Sequence, residues 1–312
     1  MLVVQHTDNF RIESPTIVTI GTFDGVHLGH QKILQRLQEL KQQTGLKTVV
    51  LTFDPHPRKV LFPDQKDLKL ISLVDEKLEL LEKYEVDVTV VYPFSMEFSQ
   101  LDSELYVHEI LMRQLNVKHL VIGYDHKFGK NRQGDINTLR SFSATSGFSI
   151  EEISARDIDS IAISSSRIRK ALEEGNLDLA REYLGYDFFL NAKIVKGKQL
   201  GRTLGFPTAN LQLREEEKII PKIGVYFVAV TVMGTDHYGM MSIGYNPTTD
   251  TDHSVKLEVN IFDFNADVYG QPLKLIFLKR LRDEVKFANL NDLKAQLHRD
   301  REECLQLIKD LS

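Results

Sequence analysis

The sequence predicts two domains of different construction: a doubly wound α/β sheet, then an antiparallel β barrel or sandwich closed by a helix. Three observations carry this. Through the first half, short apolar β-branched runs alternate with amphipathic helix-period segments, the pattern of parallel strands joined by crossover helices. In the second half, strand-like runs follow one another through turns with almost no helix between them. A chain of 312 residues also has the length for about two domains, each with its own core.

In order, Thr16–Thr22 (TIVTIGT) is a short apolar, β-branched strand. His30–Gln43 then repeats apolar residues at 33, 34, 37 and 40, and Gly45 is the natural stop of that helix. Thr48–Phe53 (TVVLTF) reads as a buried strand ended by DPHP, whose prolines forbid its continuation. Ser72–Tyr84 reads as a helix with Ser72 and Asp75 as a capping box. Val86–Val91 follows as a strand, Ser103–Leu115 as a helix and His119–Ile122 as a strand, before the glycine-punctuated loop GYDHKFGKNRQGD. Helices at 167–175 and 178–184 end this part. Phe189–Val195, Gly224–Met233, Tyr238–Ile243, Lys256–Phe262 and Pro272–Leu278 are the expected strands of the second part, and Leu290–Leu311 is its long helix. The change of pattern near Gly185–Phe188 sets the domains at 1–184 and 185–312.

Composition narrows the function. With 42% hydrophobic and 27% charged residues the chain is not globally disordered, and a net charge of −5 leaves no basic footprint for nucleic acid. Cys304 is the sole cysteine, so intrachain disulfides and multi-cysteine metal clusters are excluded. The opening MLVVQHTDNF lacks the cationic and long apolar segments of a signal peptide, and no run reaches membrane-spanning length. A cytoplasmic protein without a membrane partner is expected.

Doubly wound sheets bind ligands beyond the carboxyl ends of their strands, where GTFDGVHLGH, DPHP and GYDHKFG all fall. In GTFDGVHLGH, His27 and His30 stand at the junction of strand and helix, with glycines at 21, 25 and 29. As zinc ligands they would need Asp24 and His56, and zinc leaves the glycines unexplained. As a phosphate site every part has a job: glycines admit a ligand to the backbone, the helix start offers free N–H groups, and two imidazoles add directed donors. A pair of structural turn histidines is the bland alternative. Further on, ISSSRIRKAL opens a helix with Ser164, Ser165 and Ser166 beside Arg167 and Arg169, either a simple N-cap or the second half of a triphosphate clamp.

GRTLGFPTANLQL, residues 201–213, is too polar and turn-rich for core. Gly201 and Gly205 make room for a ligand and Pro207 stiffens the segment, while Thr208 and Asn210, two apart in extended chain, point the same way. A hydroxyl and an amide oxygen suit Mg²⁺ carrying nucleotide phosphates; an ordinary turn is the alternative. In KLEVNIFDF, Leu257, Val259 and Ile261 face one way and Glu258, Asn260 and Phe262 the other, so Glu258 reads by default as a solvated face residue.

His27-Leu28-Gly29-His30 with ISSSRIR resembles the nucleotidyltransferase superfamily. The fuller set GTFDGVHLGH, TFDPHP and GYDHKFG is similar to the FMN adenylyltransferase module of bacterial bifunctional FAD synthetases. GRTLGFPTAN, GVY and LEVNIFDF likewise resemble its riboflavin kinase module, so the resemblance covers nearly the whole chain. It implies a Rossmann-like nucleotidyltransferase domain followed by a β-barrel kinase domain with a C-terminal helix, making FMN from riboflavin and then FAD from FMN with ATP and Mg²⁺. On the adenylyltransferase side it implies that Gly21, Phe23, His27, His30, Ser164, Ser165, Ser166 and Arg169 bind ATP, and that Asp125 and Phe128 bind flavin. On the kinase side it implies that Gly201, Gly205, Pro207, Thr208 and Asn210 serve ATP and Mg²⁺, that Glu258 is the general base, and that Arg282 and Glu284 in RLRDEVKF help close the flavin site. Three positions depart from the family pattern: Ser166 replaces a threonine, His126 an aromatic residue and Asn260 a histidine. Other readings fit less. A nucleotidyltransferase for phosphopantetheine or a polyol phosphate leaves the PTAN half unexplained, and an RNA-binding relative of class I aminoacyl-tRNA synthetases would carry a KMSKS segment.

Overall fold

The computed structural model describes residues 1–5, 10–65, 67–124, 126–130, 133–154, 163–197, 201, 204–245 and 255–311. The chain forms two compact units, Met1–Ser165 and Ser166–Ser312.

The first unit runs β1 (Leu2–Gln5), β2 (Thr16–Ile20), α1 (Leu28–Thr44), β3 (Lys47–Asp54), α2 (Pro57–Leu61), α3 (Val74–Lys83), β4 (Val88–Pro93), α4 (Met96–Ser99), α5 (Ser103–Leu105), β5 (Val117–Gly123), α6 (Ile136–Ser146) and β6 (Ser149–Ile153). The strands form one six-stranded sheet in the order β1-β4-β3-β2-β5-β6, and every pairing is parallel. All five residues of β2 are buried, as expected of a central strand covered on both faces. α1 is fixed by its apolar stripe: Ile33, Leu34, Leu37 and Leu40 are buried. Full burial of a leucine such as Leu34 or Leu37 contributes about 1.5–3 kcal/mol. The helix stops where expected, because Gly45 takes a left-handed φ of 73° and its N–H bonds the Lys41 carbonyl at 2.8 Å. Chain order moves outward from β2 through β3 to β4, then restarts beside β2 at β5. The topological switch point therefore lies between β2 and β5.

Several details differ from the sequence reading. Ser72 and Asp75 form no capping box. α3 begins at Val74, the Glu76 carboxylate accepts the Leu73 N–H at 2.9 Å, and Ser72 Oγ instead accepts the Gly25 N–H at 2.9 Å. The helix expected over 103–115 is α-helical only through α5 and continues as a π-helix, Tyr106–Gln114. That wider winding buries Tyr106, Val107, Ile110, Leu111 and Gln114 together. β1, α6 and β6 add to the elements read from the sequence. β1 is a four-residue edge strand with Leu2 and Val3 exposed, and α6 (INTLRSFSATS) buries only Leu139, so neither shows a full apolar pattern.

The second unit contains α7 (Ser165–Glu174) from its second residue on, α8 (Leu177–Leu184), β7 (Phe189–Val195), β8 (Ala209–Leu213), β9 (Gly224–Val232), β10 (Thr235–Tyr245), β11 (Val255–Ile261), β12 (Pro272–Arg282) and α9 (Leu290–Leu311). Its strands close a barrel in the order β10-β11-β8-β7-β12-β9, antiparallel at every pairing. Of the two architectures expected, the barrel is realised. β8 (ANLQL), half-buried along most of its length, is the barrel strand the sequence reading lacked. α7 and α8 pack in this unit: the Lys222 N–H bonds the Leu172 carbonyl at 2.9 Å, and α8 lies on β12. The packing division after Ser165 thus falls one helical hairpin before the boundary at 184/185.

β11 is buried on both faces rather than one. Leu257, Val259 and Ile261 are buried, and so are Asn260 and Phe262. The face expected to be solvated is partly covered by α9, whose Cys304 joins Phe206, Phe227, Met240 and Phe262 in a second hydrophobic cluster.

Candidate active sites

In the first unit the site is built on a strained turn. Between β2 and α1, Phe23, Gly25 and Val26 all adopt positive φ, at 48°, 78° and 35°. Two of these are not glycine, so the surroundings must impose the shape. Asp24, 2% exposed, supplies much of that constraint: its Oδ1 accepts the N–H groups of Ile71 and Ser72 at 2.9 and 3.1 Å. Gly25 cannot be replaced freely, since a Cβ there would sit 2.7 Å from Ile71 Cγ2 at a backbone angle that side chains rarely adopt.

The turn delivers His27 and His30 to the amino end of α1. The His27 carbonyl accepts the Gln31 N–H at 2.9 Å, starting the helix. The two imidazoles stack with centroids 3.7 Å apart and planes 16° from parallel, and the Phe23 ring tilts against His30 at 4.9 Å. His30 Nδ1 is buried and has no hydrogen-bond partner among the described residues. Burial, then His27, then the Lys77 ammonium hold the His30 pKa well below the usual imidazole range. His30 is therefore a neutral ring at physiological pH.

His30 lines a cavity of about 330 Å³ at the switch point between β2 and β5. Gly21, Phe23, Phe53, Phe94, Phe98, Tyr106, His126 and Phe128 also line it, giving one mostly aromatic wall. Phe128 is held by a bridge to Gly134, with reciprocal N–H to carbonyl bonds of 3.1 and 3.0 Å, and packs on Tyr106 at 5.0 Å. Gly134 must lack a side chain, because its Cβ would meet the Phe128 ring at 2.7 Å. Asp125 lies outside the described residues.

One residue of the serine cluster reaches the histidine turn. Ser165 Oγ donates to the Asp24 carbonyl at 3.2 Å, which ties the start of α7 to the histidine turn across 141 residues of sequence. Ser164 precedes it; Ser166, exposed, and Arg169, half-buried, follow on α7. The zinc alternative finds no support in the donor geometry. His56 Nδ1 accepts the Arg58 N–H at 3.1 Å, and among the described residues no three His, Cys, Asp or Glu side chains are grouped to hold a metal ion.

Sequence reasoning missed Lys77. It lies on the buried face of α3, 5% exposed, and its ammonium donates to Thr52 Oγ1 at 3.1 Å. The signal was present: a lysine occupies the helical stripe that Leu73, Leu80 and Leu81 define.

In the second unit, the loop after β7 folds back through bonds from the N–H groups of Leu204 and Phe206 to the Gly201 carbonyl, at 3.1 and 2.8 Å. Gly201 is required by crowding, since a Cβ would lie 2.2 Å from the Phe206 carbonyl oxygen and 3.1 Å from Thr208 Oγ1. Gly205 takes φ +84°. Phe206 anchors the loop in the core at 2% exposure, while Pro207 is exposed and offers its carbonyl to Asn260 Nδ2 at 2.6 Å. Asn260 thus pins the PTAN segment to β11. β8 and β11 then place Asn210 directly opposite Glu258, so the two side chains share a face with Thr208. Gly197 presses on the same point: a Cβ there would meet Asn210 Nδ2 at 2.0 Å. Glu258 is half-buried and pairs with Lys256 Nζ at 2.9 Å.

Arg282 and Glu284 have separate surroundings. Arg282 grips the buried Asp300 of α9 in a fork, with bonds of 2.9, 3.1 and 2.7 Å. Glu284 lies over β10, where a Cβ on Gly244 would meet its Oε1 at 2.4 Å.

The family model for FAD synthetase matches residues 10–167, and the riboflavin kinase model matches residues 184–308. A bifunctional riboflavin kinase/FMN adenylyltransferase of Listeria monocytogenes is 38% identical over 92% of this chain and 90% of its own length. The protein of the same description from Bacillus subtilis is 35% identical over 96% and 94%, and that of Escherichia coli K12 is 37% identical over 91% and 90%. Among solved structures, a Streptococcus pneumoniae chain described as a macrolide-efflux protein superposes with a TM-score of 0.88 and 30% identity, over 97% of this chain and 98% of that one. Among the described residues here, no helix is long and apolar enough to cross a membrane.

The depressed pKa of His30 makes a prediction about stability. Unfolded, the imidazole takes up a proton near its ordinary 6.5; folded, it resists until lower pH. Stability should therefore fall as pH drops below 6.5, with a slope from this group of up to about 1.4 kcal/mol per pH unit. His30→Gln should flatten that slope in melting curves taken at a series of acidic pH values. An unchanged slope would show that His30 is not held neutral by the fold.

Proposed function

The chain belongs to the bifunctional riboflavin kinase/FMN adenylyltransferase family, and on that premise we propose which side chains carry each of its two reactions. It phosphorylates riboflavin to FMN in its C-terminal half and joins FMN to AMP from ATP in its N-terminal half, forming FAD. We assign residues 1–184 to the adenylyltransferase and 185–312 to the kinase, and place the enzyme in the cytoplasm with riboflavin, FMN and ATP as small-molecule partners and neither nucleic acid nor membrane among them.

The observation that carries the adenylyltransferase assignment is the stacked histidine pair at the amino end of α1, on the switch point of the sheet. In this reaction an oxygen of the FMN phosphate attacks the α-phosphorus of ATP, and the bond to the departing pyrophosphate breaks. Negative charge grows on the leaving group. His27 and the neutral His30 act as hydrogen-bond donors to the phosphates, supported by the free N–H groups and positive end of α1. Gly21 and Phe23 shape the nucleotide side of the cavity. Ser164, Ser165, Ser166 and Arg169 are proposed to complete the phosphate clamp. Phe128, with Asp125, belongs to the flavin side, where an aromatic wall suits a planar ring system.

For the kinase, the register of β8 and β11 supports the reading, because Glu258 stands opposite Asn210. The primary hydroxyl of riboflavin attacks the γ-phosphorus of ATP and ADP leaves, while the Glu258 carboxylate takes the hydroxyl proton. Thr208 Oγ1 and the Asn210 side-chain oxygen are hard donors that fit Mg²⁺, in a spot where Gly197 and Gly201 leave no room for a Cβ. The ion would neutralise phosphate charge. Gly201, Gly205 and Pro207 shape the ATP loop. Glu284 is proposed at the flavin site, and Arg282 serves that site through its hold on Asp300.

Two assays on each of two variants test the assignment. His30→Ala should slow FAD formation from FMN by about 100- to 1000-fold while riboflavin still becomes FMN, which accumulates. Glu258→Gln should slow riboflavin phosphorylation by about 100- to 10,000-fold with binding less affected, and FMN should still become FAD. Parallel loss of both activities in a folded variant would refute the division of labour.

Thr208→Ala should raise the Mg²⁺ concentration needed for half-maximal kinase rate and leave the Mg²⁺ dependence of FAD formation near normal. Identical titrations for the variant and the parent enzyme would remove Thr208 from the metal site.

A further inference from the structure

Lys77 is a charged group buried beside the histidine turn that the two reactions, as assigned above, do not use. Its ammonium donates to Thr52 Oγ1 at 3.1 Å, and the same hydroxyl donates to the Thr22 carbonyl at 3.1 Å. Thr22 is the residue before Phe23, the first of the positive-φ positions. One hydroxyl therefore links a buried cation on α3 to the entry of the strained turn. Lys77 is absent from the lining of the cavity, so it stands behind the site and not in it.

We propose that Lys77 is a positioning residue of the adenylyltransferase: through Thr52 it holds the Thr22–Val26 turn in the shape that aims His27 and His30. The proposal rests on the assignment of the histidine pair to the ATP phosphates. The groups that face this ammonium are Asp24 in the turn, Asp54 at the end of β3, and His30 on α1 with His27 stacked behind it. Glu76, its neighbour on α3, spends its carboxylate on the Leu73 N–H. Burial outweighs the pull of Asp24 and Asp54 and brings the Lys77 pKa down to about 8. Below that pH the residue is an ammonium making a charge-assisted bond to Thr52; above it the charge is lost and the bond weakens.

The test measures FAD formation by the full chain from FMN, ATP and Mg²⁺ across a pH series from about 6 to about 9, with thermal melting followed by circular dichroism as a check on folding. The parent enzyme should lose adenylyltransferase activity as pH rises through about 8. Lys77→Arg keeps a charge that does not titrate in this range, so it should retain activity near neutral pH and lack the alkaline decline. Lys77→Met should lower kcat by about 10- to 100-fold, with a smaller change in the KM for ATP, because misaimed donors cost most in the transition state. A Met variant within about threefold of the parent would overturn the proposal. If that variant does not fold, an alkaline decline preserved in Lys77→Arg, or none in the parent enzyme, overturns it equally. His30→Ala run in parallel separates the two levels: full activity there would sink the site assignment itself, whereas loss there with normal Lys77 variants sinks only this proposal.

Discussion

The Asp24 carboxylate, buried under the Thr22–Val26 turn and bonded to the N–H groups of Ile71 and Ser72, is the constraint on which the first candidate site depends. Phe23 and Val26 each sit in a backbone region that costs about 1–3 kcal/mol for a non-glycine residue. Two hydrogen bonds to an ionised acceptor, at about 1.5–3 kcal/mol each, are of the size needed to offset that strain. Without it, the chain would leave β2 and enter α1 along an ordinary path, with no reason for His27 and His30 to stack. The Ser72 hydroxyl, Thr52 and Ser165 close on the same turn from just ahead of α3, from β3 and from the start of α7. A short strained segment is thus fixed from several rigid elements, the arrangement that lets donors be aimed before substrate arrives.

The second unit reaches precision by a different route. Its site rests on strand register: β8 pairs with β11 so that Asn210 faces Glu258, and a slip by one residue would turn both side chains to the opposite face. The register is reinforced at two points off the ladder. Asn260 holds the Pro207 carbonyl, and the Phe206 ring is buried beneath α9. The side-chain amide of Asn260 supplies the single donor that this contact needs.

Much of this was legible in the sequence because the relevant residues obey local rules. The strand–glycine–helix transition at 16–45, the prolines after β3 and the alternation in β11 all announce themselves within a dozen residues. What was not legible depends on partners far away in the chain. Ser72 looked like a helix cap, yet its hydroxyl serves Gly25, 47 residues earlier. Asn260 and Phe262 looked solvated because alternation reveals two faces of a strand, not what later covers them. α9 covers them. Lys77 was overlooked because a lysine on a helix is ordinarily exposed; only its place among leucines marked it. β1, α6 and β6 were missed for a plainer reason, since edge elements bury too little apolar surface to leave a pattern.

A neutral histidine is an unusual choice for the phosphate-binding role proposed for His30, since a protonated one would add charge to its hydrogen bond. Burial explains the choice. An imidazolium at the His30 position would carry its desolvation cost in the resting enzyme and would be repelled by Lys77 behind it. A neutral ring is cheaper to bury, keeps an N–H to donate, and does not titrate over the physiological range. In the proposed clamp, positive charge would instead come from groups that need not touch the ligand: the end of α1 and the ammonium of Lys77. The stacking of His27 on His30 fits the same logic, because a neutral His30 can lie 3.7 Å from a second imidazole whereas two cations would repel. Burial, neutrality and stacking are therefore one condition, and the Asp24 turn is what brings the two rings close enough to meet it.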